Sequence, residues 1–141
     1  MNTENPVKKT HLGIYGVFEK NNRILLVKKS RGPYKSMWDL PGGRPTHGES
    51  IFQTLKREVF EETGILLSKA SPYQNVAFLV EYKESETLIS LHHTCLIYHA
   101  LEFDDSKIKE NIVEEDVAGC SWIEKPNLSQ LPLSRVVLCI L

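Results

Sequence analysis

The segment from Pro41-Gly42-Gly43 to Gly64-Ile65 constrains this chain more than any other. It encloses the strongest helical pattern in the sequence between two breakers. Ser50 is placed to cap a helix, and Gly64 stands where a helix stop belongs. Between them Ile51, Leu55 and Val59 recur at i, i+4 and i+8, with Phe52 beside them, so one apolar stripe is expected to face a core. A helix of this kind needs a partner layer, and the rest of the chain supplies strands.

His11–Phe18 and Arg23–Lys29 are rich in β-branched and aliphatic residues and flank Asn21-Asn22, which predicts a hairpin. Ser30–Ser36 carries Gly32 and Pro33 and reads as a loop. Val76–Tyr82 and Leu88–Leu101 read as strands joined by a short loop over residues 83–86, and Val117–Ile123 as the last strand. Residues 107–116 are polar and acidic and read as a loop with some helix, and Asn127–Leu131 as one helical turn. Strands outnumber helices and flank one long central helix. The expected class is therefore α/β in the α+β sense, a mixed sheet packed with helices, and not a doubly wound repeat. No repeat or linker divides the chain, so one domain over residues 1–141 is expected. Six apolar residues, Val136–Leu141, close the sequence and need cover, in the core or between two copies.

The helix also carries Arg57-Glu58-Val59-Phe60-Glu61-Glu62. At about 100° per residue, Glu58, Glu61 and Glu62 fall within one sector of the helix surface, and Glu62 projects only about 20° from Leu55. Like charges spaced this way repel one another, and a solvated acidic face would lie opposite the apolar stripe instead of beside it. Such an arrangement suits oxygen donors that share a hard cation. Mg²⁺ or Mn²⁺ would be held by a few carboxylates together with substrate phosphates.

Gly43, Glu49, Arg57, Glu58, Val59, Glu61, Glu62, Gly64 and Ile65 together spell G-x5-E-x7-R-E-U-x-E-E-x-G-U, with U a bulky aliphatic residue. This resembles the Nudix box at every defined position, over 23 of the 141 residues. The resemblance implies an α/β/α sandwich in which the box forms a loop–helix–loop. It implies an enzyme that cleaves a phosphoanhydride in a nucleoside diphosphate linked to another moiety, by attack of water activated by Mg²⁺ or Mn²⁺. Carried over, Glu58, Glu61 and Glu62 would be metal ligands with the carbonyl of Gly42, and Glu58 would help to orient or deprotonate the water. Glu49 would sit at the metal site as a ligand or beside one, and Arg57 would hold the carboxylates in place. A further acid often comes from a loop beyond the box. Glu114, Glu115 and Asp116 are candidates, and Glu115 is the one chosen.

Substrate contacts are expected from Arg44, Lys28, Trp38 and Tyr82, as cations for phosphate or aromatics for a base. Lys29, Arg31, Lys35, Tyr34 and Phe78 are weaker candidates of the same two kinds. His92 and His93 lie in a strand where neighbours point to opposite faces, which makes them a poor chelating pair. The lysine-rich end of the second strand and Trp38-Asp39-Leu40-Pro41-Gly42-Gly43 look most like MutT-like hydrolases of (d)NTPs or modified nucleotides. Tyr82 fits dinucleoside polyphosphate hydrolases, and ADP-ribose or sugar nucleotides stay open. A nucleotide-sensing module without turnover is the alternative from another class.

Composition bounds these readings. Hydrophobic residues at 41% and charged residues at 25% fit a folded globular chain and argue against disorder. A net charge of −1 provides no basic field to draw nucleic acid or a membrane, so any anionic ligand must be held by local groups or metal ions, and the resemblance implies a small-molecule nucleotide as partner. Whether the chain acts as a monomer or a homodimer is left open. Three widely spaced cysteines fit neither a disulfide framework nor a zinc site, and the first residues show no signal peptide, so a cytoplasmic location is expected.

Overall fold

A computed structural model describes residues 5–110 and 116–141. Strand β1 is Val7–Val17, β2 Glu19–Lys20, β3 Arg23–Lys29, β4 Trp38–Asp39 and β5 Gly42–Gly43. Helix α1, Ile51–Thr63, is followed by β6 Leu66–Glu84, β7 Thr87–Asp104 and β8 Val117–Glu124. A 3-10 helix over Lys125–Gln130 and helix α2, Arg135–Leu138, complete the fold.

The described strands form two four-stranded sheets. In the first, ordered β5-β1-β7-β6, β1 runs parallel to β7 but antiparallel to β5, and β6 runs antiparallel to β7, so the sheet is mixed as expected. In the second, β3 pairs with β8 on one side and with the short β2 and β4 on the other. The hairpin expected at Asn21-Asn22 joins β2 to β3 and not β1 to β3. Asn21 and Asn22 both adopt positive φ (52° and 60°), as a two-residue turn matched to strand twist requires. The chain breaks at Phe18, and β1 goes to the other sheet.

The apolar run of β3 is buried on both faces, so its side chains feed two separate cores. Ile24 and Leu26 join Tyr15, Val17, Phe78 and Ile97 on one side, where the 3-10 helix adds Leu128 and α2 adds Val136 and Val137. Leu25 and Val27 join Ile14, Phe18 and Val117 on the other, against Leu55 and Val59 of α1. Helices thus cover opposite sides of the strand layer, the sandwich expected. The apolar C-terminal run divides accordingly: Val136 and Val137 are buried, whereas Leu138 and Leu141 are exposed.

Helix α1 differs from its predicted stripe at its first turn. Ile51 is 42% exposed and Phe52 also lies open, while the buried face is Thr54, Leu55, Val59, Glu62 and Thr63. Its ends match expectation. Ser50 and Gln53 form a reciprocal capping box, and Gly64 at φ +80° donates its N–H to the Phe60 carbonyl. A Cβ at Gly64 would also lie 2.5 Å from the Lys107 carbonyl oxygen, so both backbone and space demand glycine there.

The largest difference is β6, which begins at Leu66 and not Val76. Residues 66–75 include Pro72 and Asn75 and break the strand pattern, but β6 is a sheet edge, where a proline costs no ladder hydrogen bond. Register shifts between Leu67 and Gln74 absorb the irregularity.

Candidate active site

The acids of α1 do not share one environment. Glu62 is 4% exposed, and its Oε1 accepts the Gly42 N–H at 2.8 Å. Burial pushes its pKa well above the ordinary carboxylate range, with the Gly42 hydrogen bond and Lys29 opposing. Glu58 is also raised by burial, against the pull of Arg57. Its carboxyl lies over Gly43 so closely that a Cβ there would come within 2.6 Å of Cδ. Glu61 is more exposed and meets Arg57. The turn Gly42-Gly43 therefore lies directly under two of the carboxylates. Gly42 at φ +148° also passes against β1, where a Cβ would strike the Ile14 carbonyl.

Arg57 organises the group and uses all five of its N–H donors. Nε and Nη2 clasp Glu49 at 2.6 and 2.9 Å, Nη1 reaches Glu58 at 2.8 Å and Glu61 at 3.3 Å, and Nη2 also donates to the Arg44 carbonyl at 3.2 Å. Glu49 accepts in addition from the Thr46 N–H and the Thr54 hydroxyl. These bonds, the Arg57 contact foremost, hold its pKa below the usual range. Glu49 thus faces Arg57 and braces it.

Among the described residues, no three acidic, histidine or cysteine side chains converge on one point, because Arg57 draws Glu58 and Glu61 while Gly42 holds Glu62. The donor set nonetheless suits a hard divalent cation. It is all oxygen, it sits on one face of a rigid helix above a Cβ-free turn, and it includes a buried carboxylate whose ionisation burial disfavours.

This turn adjoins a cavity of about 720 Å³. One wall is a single face of the first sheet, carrying Lys9, His11 and Tyr15 of β1 with Leu91 and His93 of β7. Residues 31–35 form another wall, and the lining includes Arg44, which follows Gly43 directly, with Lys29 and Asp116, whose charges both bear on Glu62. Lys29 pairs with Asp116 at 3.1 Å, and the charge of Asp116 bears on both Glu58 and Glu62.

Of the residues expected to contact substrate, Arg44 and Tyr82 line this cavity and Lys28 and Trp38 do not. The Lys28 ammonium lies 5.3 Å from the Trp38 ring centroid, and Trp38 packs against the core that contains α2. Strand parity explains the outcome: Lys28 and Lys29 point to opposite faces of β3, and Lys29 is the one turned inward. Glu115, the expected ligand beyond the box, and Glu114 lie outside the described residues. Sequence reasoning weighed His93 only as half of a poor chelating pair, whereas it is 1% exposed and lies at the cavity wall between the hydroxyls of Tyr15 and Tyr34. The alternation of His11, Gly13 and Tyr15 along β1 was the available sign that one face is shaped for something besides core packing.

A model of the NUDIX domain family matches residues 7–136. Over 123 residues the chain is 30% identical to nucleoside diphosphate-linked moiety X motif 6 of Mus musculus, covering 86% of this chain but only 37% of that protein. Over 65 residues it is 38% identical to an 8-oxo-dGTP diphosphatase of Buchnera aphidicola, covering 43% of this chain and 52% of that protein. The chain thus spans from about a third to about half of the length of these relatives. Its fold is similar to that of a MutT NUDIX hydrolase from Burkholderia pseudomallei, with TM-score 0.71 and 26% identity over 93% of this chain and 95% of that one. With the box complete from Gly43 through α1 to Ile65 and a family match over nearly the whole sequence, the chain belongs to the NUDIX domain family.

Proposed function

We propose that this protein hydrolyses a phosphoanhydride bond in a nucleoside diphosphate linked to another moiety, with (d)NTPs or modified nucleotides as its substrate class and Mg²⁺, or Mn²⁺ in its place, as cofactor. The observation that carries this reading is the placement of Glu58 and Glu62 against Gly42-Gly43 at the end of a cation-bearing cavity. Glu58, Glu61 and Glu62, with the Gly42 carbonyl, would hold the metal. When bound, the metal would neutralise phosphate oxygens and acidify a water molecule.

The remaining work falls to the chain's own groups. Glu58 has Oε1 committed to Arg57, which leaves Oε2 to accept a proton from the attacking water. Arg57, braced by Glu49, keeps the neighbouring carboxylates from splaying under mutual repulsion. Arg44 and Lys29 attract the phosphate chain, and the apolar and aromatic cavity wall receives the nucleoside. Asp116, beside Lys29 and within the field of Glu58 and Glu62, is the best-placed described acid outside α1 to assist the metal. All three thiols are free, in keeping with a reducing, cytoplasmic setting, and no helix among the described residues is long and apolar enough to cross a membrane.

Tyr82 at the cavity wall favours a second reading, a dinucleoside polyphosphate whose second base stacks there. A hydrolysis screen with Mg²⁺ or Mn²⁺ separates the two. It should include (d)NTPs, oxidised nucleotides, ADP-ribose, sugar nucleotides and dinucleoside polyphosphates, with products identified by phosphorus NMR. Fastest turnover of a (d)NTP or oxidised nucleotide supports the first reading. Turnover of none would replace catalysis with nucleotide sensing.

A further inference from the structure

We infer that Tyr15 and Tyr34, tied together through His93, form a reader that selects substrates by the hydrogen-bonding edge of the base. This rests on the cavity being the nucleotide site. The Tyr15 hydroxyl lies 2.8 Å from His93 Nε2 and the Tyr34 hydroxyl 2.8 Å from Nδ1, so both ring nitrogens are occupied. All three residues line the cavity.

Counting protons shows what the cluster offers a ligand. Burial, with His11 and Lys29 nearby, lowers the His93 pKa to about 4, so the ring is neutral near pH 7 and carries one N–H. Two phenols and one imidazole N–H supply three protons, and the two internal hydrogen bonds use two of them. One tyrosine must therefore donate to His93 and keep a free oxygen lone pair. The other must accept from His93 and keep a free O–H. The cavity is thus offered one acceptor and one donor, and exchanging the imidazole tautomer exchanges which tyrosine is which. Nucleobases present donors and acceptors side by side on their edges, in patterns that differ between bases.

The position fits as well as the chemistry. Gly43 pairs with Ile14 and His93 with His11, so His93 lies three residues along β1 from the carboxylate turn, roughly 10 Å at 3.3 Å per residue, while Tyr15, whose backbone pairs with Gly42, turns its ring back towards it. That spacing is the order of the reach from a nucleotide's phosphates to its base. Gly13 makes the cluster possible, because the Tyr15 ring folds back over it to reach His93, and a Cβ there would meet the hydroxyl at 2.3 Å. Tyr34 stacks beside the imidazole at 5.7 Å between ring centroids and Phe78 meets it edge-on at 5.5 Å, which fixes its plane.

The test is equilibrium binding of AMP, GMP, CMP and UMP, with ribose 5-phosphate as the probe that has no base. Wild-type protein should prefer one or two bases over the others by about tenfold or more. Tyr15→Phe and Tyr34→Phe should each bring the four affinities to within about threefold, leaving ribose 5-phosphate unchanged. His93→Gln, whose amide supplies one donor and one acceptor, should keep more of the preference than His93→Leu; if His93→Leu does not fold, the two Phe variants decide. Absence of base preference in the wild type overturns the inference, as does an equal loss on all five probes or no binding of any nucleotide. Binding needs no turnover, so the two readings fail separately. A protein that selects bases but hydrolyses nothing refutes the hydrolase proposal alone. One that hydrolyses nucleotides without base selection refutes this inference alone.

Discussion

Glu58, Glu62 and His93 show burial as the largest influence moving a side chain from its ordinary chemistry. For His93 the effect is testable as stability. Its folded pKa is lowered to about 4 from an ordinary value near 6.5, so between those limits the unfolded chain binds more protons. The contribution is therefore complete above about pH 6.5 and is lost as pH falls towards 4, amounting to at most about 3 kcal/mol. Urea unfolding at pH 7 and pH 4.5 should show that His93→Gln has a shallower loss of stability on acidification than wild type. Parallel losses would contradict the account. The box acids and Arg57 were legible in the sequence because their spacing is rigid, whereas the significance of His93 depends on Tyr15 and Tyr34, which lie 78 and 59 residues away. No local pattern encodes such a meeting.

At the scale of elements, α1 serves as a ruler for the site, and its capping box and buried face stabilise it by different amounts. Ser50→Ala removes a side-chain cap and should cost about 1 kcal/mol. Leu55→Ala opens a void in the core shared with Ile14 and Phe18 and should cost about 2–5 kcal/mol. Thermal unfolding of both variants checks the ranking, and the reverse order would show that α1 is anchored by its end and not its face. The helix was readable because cap, stripe and stop agree. Its first-turn residues Ile51 and Phe52 were misjudged because periodicity reveals an apolar face without revealing how far the opposing layer extends. For β6 the difficulty was the converse. Pro72 and the register shifts obscure the pattern, and only the edge position makes the strand tolerable. The hairpin at Asn21-Asn22 was found, but its flanking strands were assigned to one sheet because the break at Phe18 has no signature in residue type.

Across the whole molecule, two cores flank the strand layer, and the carboxylate turn lies between α1, whose Glu58 and Glu62 it meets, and Arg44 at the cavity wall. If Glu62 holds the metal as proposed, its burial beside the core makes the protein's stability answer to metal. Glu62→Gln can keep the bond from the Gly42 N–H while removing a charge that burial disfavours, so without metal it should be as stable as wild type or more so, by about 1 kcal/mol. Added Mg²⁺ should raise the Tm of wild type more than that of the variant, because a ligand stabilises only the state that binds it. Equal shifts would remove Glu62 from the proposed metal site. The proposed reaction class rests on a box that is local in sequence, whereas the cavity proposed to choose the substrate draws on β1, β7 and residues 31–35, which come together only in the fold. The most direct test of the central claim is the turnover of Glu58→Gln with saturating Mg²⁺ on the best substrate of the wild-type protein, alongside a Tm that verifies folding. A fall in kcat of about 10²-fold or more at near-native Tm is the predicted result, and near-wild-type turnover by the folded variant would contradict it.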